Sequence, residues 1–327
     1  MYVSGVNIAV TYPDTRKVLA ALNSLDFLAV ASHMMTPTSE VADIVLPKTT
    51  GLEEEEVSLE PSAQIVCYTN PVKAPEGEAR TDFDFTTDLA RRLESRGIDT
   101  RKFFPWETKQ DFNEYLLGDE IDWYLLKKQG WAPFDFSLGN FEEAGFRTPS
   151  GKIELWSQML DDIGVDPLPG YETPRAEQSN ASEKRNFPLI LITGAREKTY
   201  HHSRYRDQAW ARKVSPFPLL QVHPDDAHRF DLSDGDWVAV ETAGLKGACK
   251  LKVAVTPETD TGTVRTGMGW WLPEADGPEK GALDVNVNVA LSYDGPWDPV
   301  TGSADTRGLP CRVTPVPESE IPMRETA

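Results

Sequence analysis

From Leu189 onward the chain is a succession of short apolar runs, each closed by a turn signal. This texture constrains the fold more than any other feature of the sequence. Leu189-Ile190-Leu191-Ile192 stops at Thr193-Gly194, and Leu219-Leu220-Gln221-Val222 runs into a short helix around Pro224–Phe230. Asp234-Gly235-Asp236 forms a tight turn into a strand over Trp237–Glu241, and the alternation in Cys249–Val255 marks its antiparallel neighbour. Thr263–Thr266 and Arg312–Val316 complete the set. Runs this short and this regularly punctuated predict a small β-barrel rather than helices or a long open sheet.

Upstream the texture differs. Asp14 is placed to cap a helix carrying Val18, Leu19 and Leu22; Phe27–Val30 and Ile44–Leu46 read as buried strands, the second ended by Pro47. The acidic run Glu53 to Glu56 reads as a solvated turn or helix start. Helices are predicted over Asp82–Arg96, Lys109–Leu117, Glu120–Gln129 and Ile153–Leu160. Residues 164–186 are rich in Pro, Glu, Ser and Asn, and read as a surface connection holding a domain boundary.

The chain has 327 residues, enough for two or three cores, and a net charge of −19 argues against nucleic acid or an anionic membrane as a partner. No apolar run reaches the roughly 18 residues of a membrane span, so no direct insertion is expected. Cys67, Cys249 and Cys311 show no CxxC spacing, which excludes a local iron–sulfur or zinc motif of the usual kind; a reducing compartment, the cytoplasm, is favoured. Against the acidic background, Lys184, Arg185, Arg196, Lys198, Arg204, Arg206, Arg212 and Lys213 crowd one stretch opposed only by Glu197 and Asp207. Placed after a strand-and-glycine turn, they predict a local anion site.

Several segments resemble the dimethyl sulfoxide reductase superfamily of molybdopterin oxidoreductases, over about residues 3 to 317. Thr36-Pro37-Thr38-Ser39-Glu40-Val41-Ala42-Asp43-Ile44-Val45-Leu46-Pro47 is similar to that family's T-x-T-x-x-x-A-D-x-V-L-P segment, and Thr148-Pro149-Ser150-Gly151-Lys152-Ile153-Glu154 to its T-P-S-G-K-I-E segment. Thr193-Gly194-Ala195-Arg196, Val222-His223-Pro224-Asp225-Asp226-Ala227 and Ser233-Asp234-Gly235-Asp236-Trp237-Val238 resemble its C-terminal dinucleotide-binding domain. The resemblance implies an α/β plus β fold. Residues 1–50 would end a Rossmann-like guanosine-binding domain and 51–180 would form an adjoining α+β segment. Residues 185–317 would be a double-psi β-barrel, and 318–327 a tail.

It also implies two molybdopterin guanine dinucleotides holding molybdenum or tungsten. Gly5 and Asn7 match the family's nucleotide loop, with Thr38 and Asp43 on the same side, Asp43 having a turn-bracing role as its alternative. Ile8 stands where a proline is common, and Ser32 where the family often has an aspartate contacting guanosine. In the barrel, Thr193, Gly194 and Arg196 would meet a phosphate or pterin edge. Tyr200, His201, His202 and Ser203 follow in the loop that faces the pterin. In the run Val285-Asn286-Val287-Asn288-Val289, the two asparagines share a side if the run is extended, and Asn288 is the expected pterin contact. Asp298 resembles the family's D-P-x-x-G aspartate. Trp270 and Trp271 fit either a funnel lining or core.

The family's 4Fe-4S cysteines and metal-ligating residue lie upstream of the region matched, so no catalytic or metal-ligating residue is assigned. The chain reads as the cofactor-binding portion of an oxidoreductase. It would be inactive alone and completed by an N-terminal half or catalytic subunit, with an iron–sulfur electron-transfer subunit as a further partner. The alternatives are a non-catalytic cofactor-binding or structural subunit, or a gene remnant. A metallohydrolase built on His201, His202, His223 and His228 is disfavoured by the lack of an HExxH arrangement.

Overall fold

Three short strands, β1 (Tyr2–Ser4), β2 (Ala29–Ser32) and β3 (Ile44–Pro47), hydrogen-bond in that order into a sheet. Between them run α1 (Ile8–Thr11), α2 (Thr15–Asn23) and α3 (Pro37–Glu40). The Asp14 carboxylate caps α2 at the Lys17 amide, as its position predicts. Leu19 and Leu22 on the inner face of α2 are buried with Val3, Ala9, Leu28 and Val30. In this computed structural model residues 1–323 are described, apart from 61, 135–138, 140, 169, 172, 174, 245–246 and 296. Residues 324–327 of the expected tail lie outside them.

The chain forms two compact units. One comprises residues 31–34 and 45–155, the other 1–30, 35–44 and 156–327. Thus β1 shares a unit with the C-terminal barrel, β2 and β3 are each divided between the units, and the chain passes from one unit to the other at Leu155/Trp156.

The unit containing 45–155 carries strands not foreseen from the sequence: β4 (Glu56–Glu60), β5 (Ile65–Thr69) and β6 (Trp131–Pro133), antiparallel in that order. Helices α4 (Asp82–Glu94), α5 (Lys109–Leu117) and α6 (Trp123–Gln129) accompany them. Val66, Tyr68, Trp123, Leu126 and Ala132 form its core. The acidic run is not simply solvated. Glu53 is buried and accepts from the Thr50 amide at 2.8 Å. Glu55 takes the Tyr68 hydroxyl at 2.6 Å, the Asn113 amide at 3.1 Å and Lys127 at 3.1 Å.

In the other unit, β7 (Leu189–Ala195), β8 (Leu219–Val222), β9 (Trp237–Thr242), β10 (Ala248–Val255), β11 (Thr263–Gly267) and β12 (Leu309–Pro315) close into a barrel of order β10-β8-β11-β7-β12-β9. The pairs β10–β8 and β11–β7 are parallel and the rest antiparallel. Closure leaves no free edge. The inward residues Leu189, Leu191, Leu220, Val222, Val238, Val240, Cys249, Leu251, Val253 and Val264 fill the interior.

Two expectations are corrected. The helix predicted over Ile153–Leu160 is confined to Gln158–Asp162, because Ser157 caps it at the Leu160 amide and the preceding residues are spent on a turn in which Glu154 accepts from the Ser150 amide. The run Val285–Val289 is not extended. It leaves the short helix Ala282–Val285 as a 3-10 turn, Val287–Ala290, with Asn286 accepting from the Asn288 amide. No helix among the described residues is long and apolar enough to cross a membrane.

Leu251 is fully buried in the barrel, whereas Leu168 is 53% exposed. Leu251→Ala is expected to cost about 2–5 kcal/mol and Leu168→Ala about 0.5 kcal/mol or less, compared by urea denaturation midpoints.

Candidate functional site

The turn out of β1 is set by Gly5, whose φ of 69° is open to glycine at little cost. It delivers Asn7, a buried side chain at the centre of a polar knot. The Asn7 Nδ2 donates to Ser203 Oγ at 2.8 Å, and its Oδ1 accepts from Thr38 Oγ1 at 2.7 Å. Thr38 Oγ1 in turn accepts from the Ala9 amide at 3.0 Å, and the Trp271 indole donates to Ser203 Oγ at 3.2 Å. Three of the residues singled out from sequence, Asn7, Thr38 and Ser203, thereby meet. Their side chains are occupied with one another, so they fix the shape of the Gly5 loop rather than reach outward. Burial makes every member of such a knot necessary.

A second knot lies beside it. The amides of Asn286 and Asn288, at 3.0 and 2.8 Å, both donate to the Val10 carbonyl at the end of α1, and the Asn288 carbonyl accepts from the Asp14 amide at 2.8 Å. Asn288 is therefore a fastening between the barrel side and the α/β layer.

At the end of β7 the Thr193 hydroxyl donates to the Thr306 carbonyl at 2.7 Å, and Gly194 turns with φ 84°. A Cβ on Gly194 would stand 3.1 Å from Arg307 Nη2, so the guanidinium lies directly over this glycine. Beyond it opens a cleft of about 470 Å³, lined by Arg196, Lys198, Thr199, Ser215, Gln221 and Arg265 among others. Glu197 and Glu258 share the lining, but none of its three cations forms an ion pair among the described residues. The sequence signalled Arg196 through its turn. It gave no sign of Arg265, far off on β11, or of Arg307.

The following loop folds tightly. His202 and Tyr205 adopt φ of 54° and 70°, a left-handed backbone that side chains disfavour. Tyr200 is buried, its hydroxyl donating to the Ser215 carbonyl at 2.7 Å. The Arg206 guanidinium, in a residue 1% exposed, lies against the Tyr200 and Trp270 rings, 4.5 and 4.3 Å from their centroids, the two rings meeting edge to face. Burial pulls its pKa down to about 10. No carboxylate pairs with it among the described residues, and its Nη1 has no hydrogen-bond partner. The aromatic faces take the place of a counter-ion. Trp270 and Trp271 are both buried, which makes them core.

The His201 and His202 rings meet edge to face at 5.0 Å. Burial first, then the charges of His201, Arg196 and Arg206, hold the His202 imidazole below the ordinary histidine range. Two other predicted residues serve turns. Asp43 accepts from the Leu28 amide at 2.7 Å, bracing the approach to β3, and Asp298 accepts from the Val300 and Thr301 amides, which keep its carboxyl below its usual range. No group of three or more His, Cys, Asp or Glu placed to hold a metal occurs among the described residues. The arrangement can present cations, backbone amides and a neutral histidine to an anionic ligand.

A depressed His202 pKa means the unfolded state binds the proton more readily than the folded one. Its contribution to stability is present above the unfolded value of about 6.5 and is lost as pH falls through the folded value. Titration by NMR should place the His202 imidazole below free histidine, and Arg196→Ala should move it upward. An unshifted imidazole would contradict this electrostatic picture.

Comparison with known proteins follows the same geometry. Residues 189–310 match the family model described as molydopterin dinucleotide binding domain, and residues 1–92 that described as molybdopterin oxidoreductase. Acetylene hydratase of Syntrophotalea acetylenica is 32% identical over 316 residues, 92% of this chain and 42% of the relative. Dimethyl sulfoxide reductase DmsA of Escherichia coli is 28% identical, across 84% of this chain and 36% of its own length. The solved structure of acetylene hydratase from Pelobacter acetylenicus superposes with a TM-score of 0.86 at 30% identity, covering 95% of this chain and 43% of that one. The chain thus spans about two fifths of the length of these relatives.

Proposed function

Because this chain belongs to the dimethyl sulfoxide reductase superfamily of molybdopterin oxidoreductases, we propose that it is the cofactor-gripping portion of a bis-molybdopterin guanine dinucleotide enzyme carrying molybdenum or tungsten. The observation that carries the reading is the cleft beyond Gly194. There Arg196, Lys198 and Arg265 stand without carboxylate partners among the described residues, in a chain whose 52 acids outnumber its 33 Lys and Arg residues. Unpaired guanidinium forks suit phosphate oxygens, to which they can bind through two parallel N–H bonds.

Gly194 would let a pterin edge or phosphate approach its backbone, with Arg307 overhead. The exposed Gly5 loop, held from beneath by Asn7 and Thr38, would meet a nucleotide through its backbone. His201 and His202 would donate to the pterin, a neutral His202 having one N–H to give. Asn288 and Asp43 would act indirectly, by holding the surfaces that carry these contacts. The two parallel crossovers support a double-psi reading of the barrel, and the β1–β3 layer a Rossmann-like one.

A metal held by pterin dithiolenes supplies electron transfer or polarisation of a bound substrate. This chain offers no evident ligand to it. Cys249 and Cys311 are buried in the barrel, where burial pushes the Cys249 thiol up to about 12 and the Cys311 thiol up as well, away from the thiolate a metal requires. The metal ligand and any iron–sulfur cluster are assigned to the upstream portion that the relatives possess, on the same polypeptide or a partner subunit. Hydration of an unsaturated small molecule and reduction of an S- or N-oxide are the first substrate classes to test, from the names of the relatives.

The test is metal analysis and oxidised-pterin fluorescence on the chain purified alone and together with its upstream portion. Pterin with molybdenum or tungsten is expected in the joint preparation, and Arg196→Ala combined with Arg265→Ala should lower pterin occupancy about tenfold or more, as loss of two charge-assisted contacts requires. Absence of pterin from both preparations would overturn the reading.

A further inference from the structure

We propose that Arg206 is the positioning residue that holds the His201–Ser203 turn in its left-handed form, so that the turn stands assembled before any ligand arrives. Its Nε donates to the His202 carbonyl at 3.0 Å and its Nη2 reaches the Met268 carbonyl at 3.5 Å. One planar fork thereby ties the turn to the segment that follows β11. Its guanidinium carbon also packs into the corner made by the Tyr200 and Trp270 rings, 4.5 and 4.3 Å from their centroids, the rings themselves meeting edge to face.

The residue it restrains is one that would not adopt this backbone freely. His202 has a φ of 54° and carries a side chain, and such a residue keeps this conformation only where its surroundings impose it. Its neighbour Ser203 is the acceptor for both Asn7 and the Trp271 indole. The strained position and the polar knot are thus adjacent in sequence, and Arg206 is the buried group bonded to the backbone between them. A lysine cannot substitute, since an ammonium lacks the planar fork that reaches both carbonyls.

The proposal rests on the cofactor reading only for what the turn serves; its test needs no cofactor. Indole N–H exchange with deuterium is followed by NMR on the full chain, with Trp271 assigned through Trp271→Phe and Trp123, buried in the other unit, as the internal control. Arg206→Met is expected to accelerate Trp271 exchange about tenfold, the equivalent of one net hydrogen bond, and to leave Trp123 unchanged. Arg206→Lys should not restore the protection.

Adding His202→Gly to Arg206→Met should restore it, because glycine takes the left-handed backbone without restraint. A merely structural loss of packing would not be repaired by a glycine at 202. If Arg206→Met does not fold, Arg206→Lys with and without His202→Gly makes the same comparison. Trp271 exchange within twofold of the natural chain in the single Arg206 variants, or no recovery on adding His202→Gly, would overturn the proposal. Absence of pterin with Trp271 responding as expected would leave it standing and remove only the cofactor reading.

Discussion

The Val10 carbonyl is the point on which the larger unit turns. Two asparagine amides from one 3-10 turn converge on a single oxygen at the end of α1, and the same turn returns a carbonyl to the Asp14 amide. All three groups are removed from water, so each is costly to leave without its partner. The contact does more than tie two segments. It fixes where α1 ends and α2 begins, and through α1 the height of the Gly5 loop. Gly247 completes the fit, since a Cβ there would come within 2.3 Å of the Val289 carbonyl. The segment between β9 and β10 thus approaches the 3-10 turn closely enough that one methyl group would force them apart.

Charge is organised on a different principle. Several surface cations are matched: Arg312 bonds Glu241, Arg212 bonds Glu274, and Arg91 and Arg101 share Glu107. Exposed pairs of this kind contribute little to stability, but they neutralise. In the cleft beyond β7, Arg196, Lys198 and Arg265 have no such partner among the described residues, and Arg206 is buried against aromatic rings with no acid beside it there. Three cations gathered in one cleft of an acidic chain present a local field that its net charge conceals.

The barrel was the most legible part of the sequence, because each strand had to bury one face and declare it by alternation. Leu189–Ile192, Leu219–Val222 and Trp237–Glu241 could be read for that reason. The strands β4 to β6 could not. Glu56-Val57-Ser58-Leu59-Glu60 is a largely exposed edge strand carrying acids, with Leu59 57% exposed, and its neighbour β5 pairs on its other side with β6, which lies far along the chain. The helix expected from Ile153 failed because exposed apolar residues imitate helical spacing. Asn286 and Asn288 were recognised as a pair, yet their common direction comes from a 3-10 turn rather than from a strand. At the site, residues at turns could be picked out, since turns need particular residue types. The identity of their partners could not: Asn7 with Ser203, or Arg307 over Gly194, depends on distances that only the closed barrel sets.

The knot at Val10 also imposes an order on synthesis. Its donors lie 276 and 278 residues downstream of their acceptor. At translation rates of about 5–20 residues per second, the α1 carbonyl is made on the order of 14–56 seconds before either amide exists. For that interval the β1–α1–α2 segment can collapse on Val3, Leu19 and Leu22, but nothing sets its register against the barrel. Nor can the barrel close before β12, its last strand, is available to join β7 and β9. The native arrangement of this unit therefore waits on β12, and whatever shields the early strands from wrong pairing has to persist until that strand has left the ribosome.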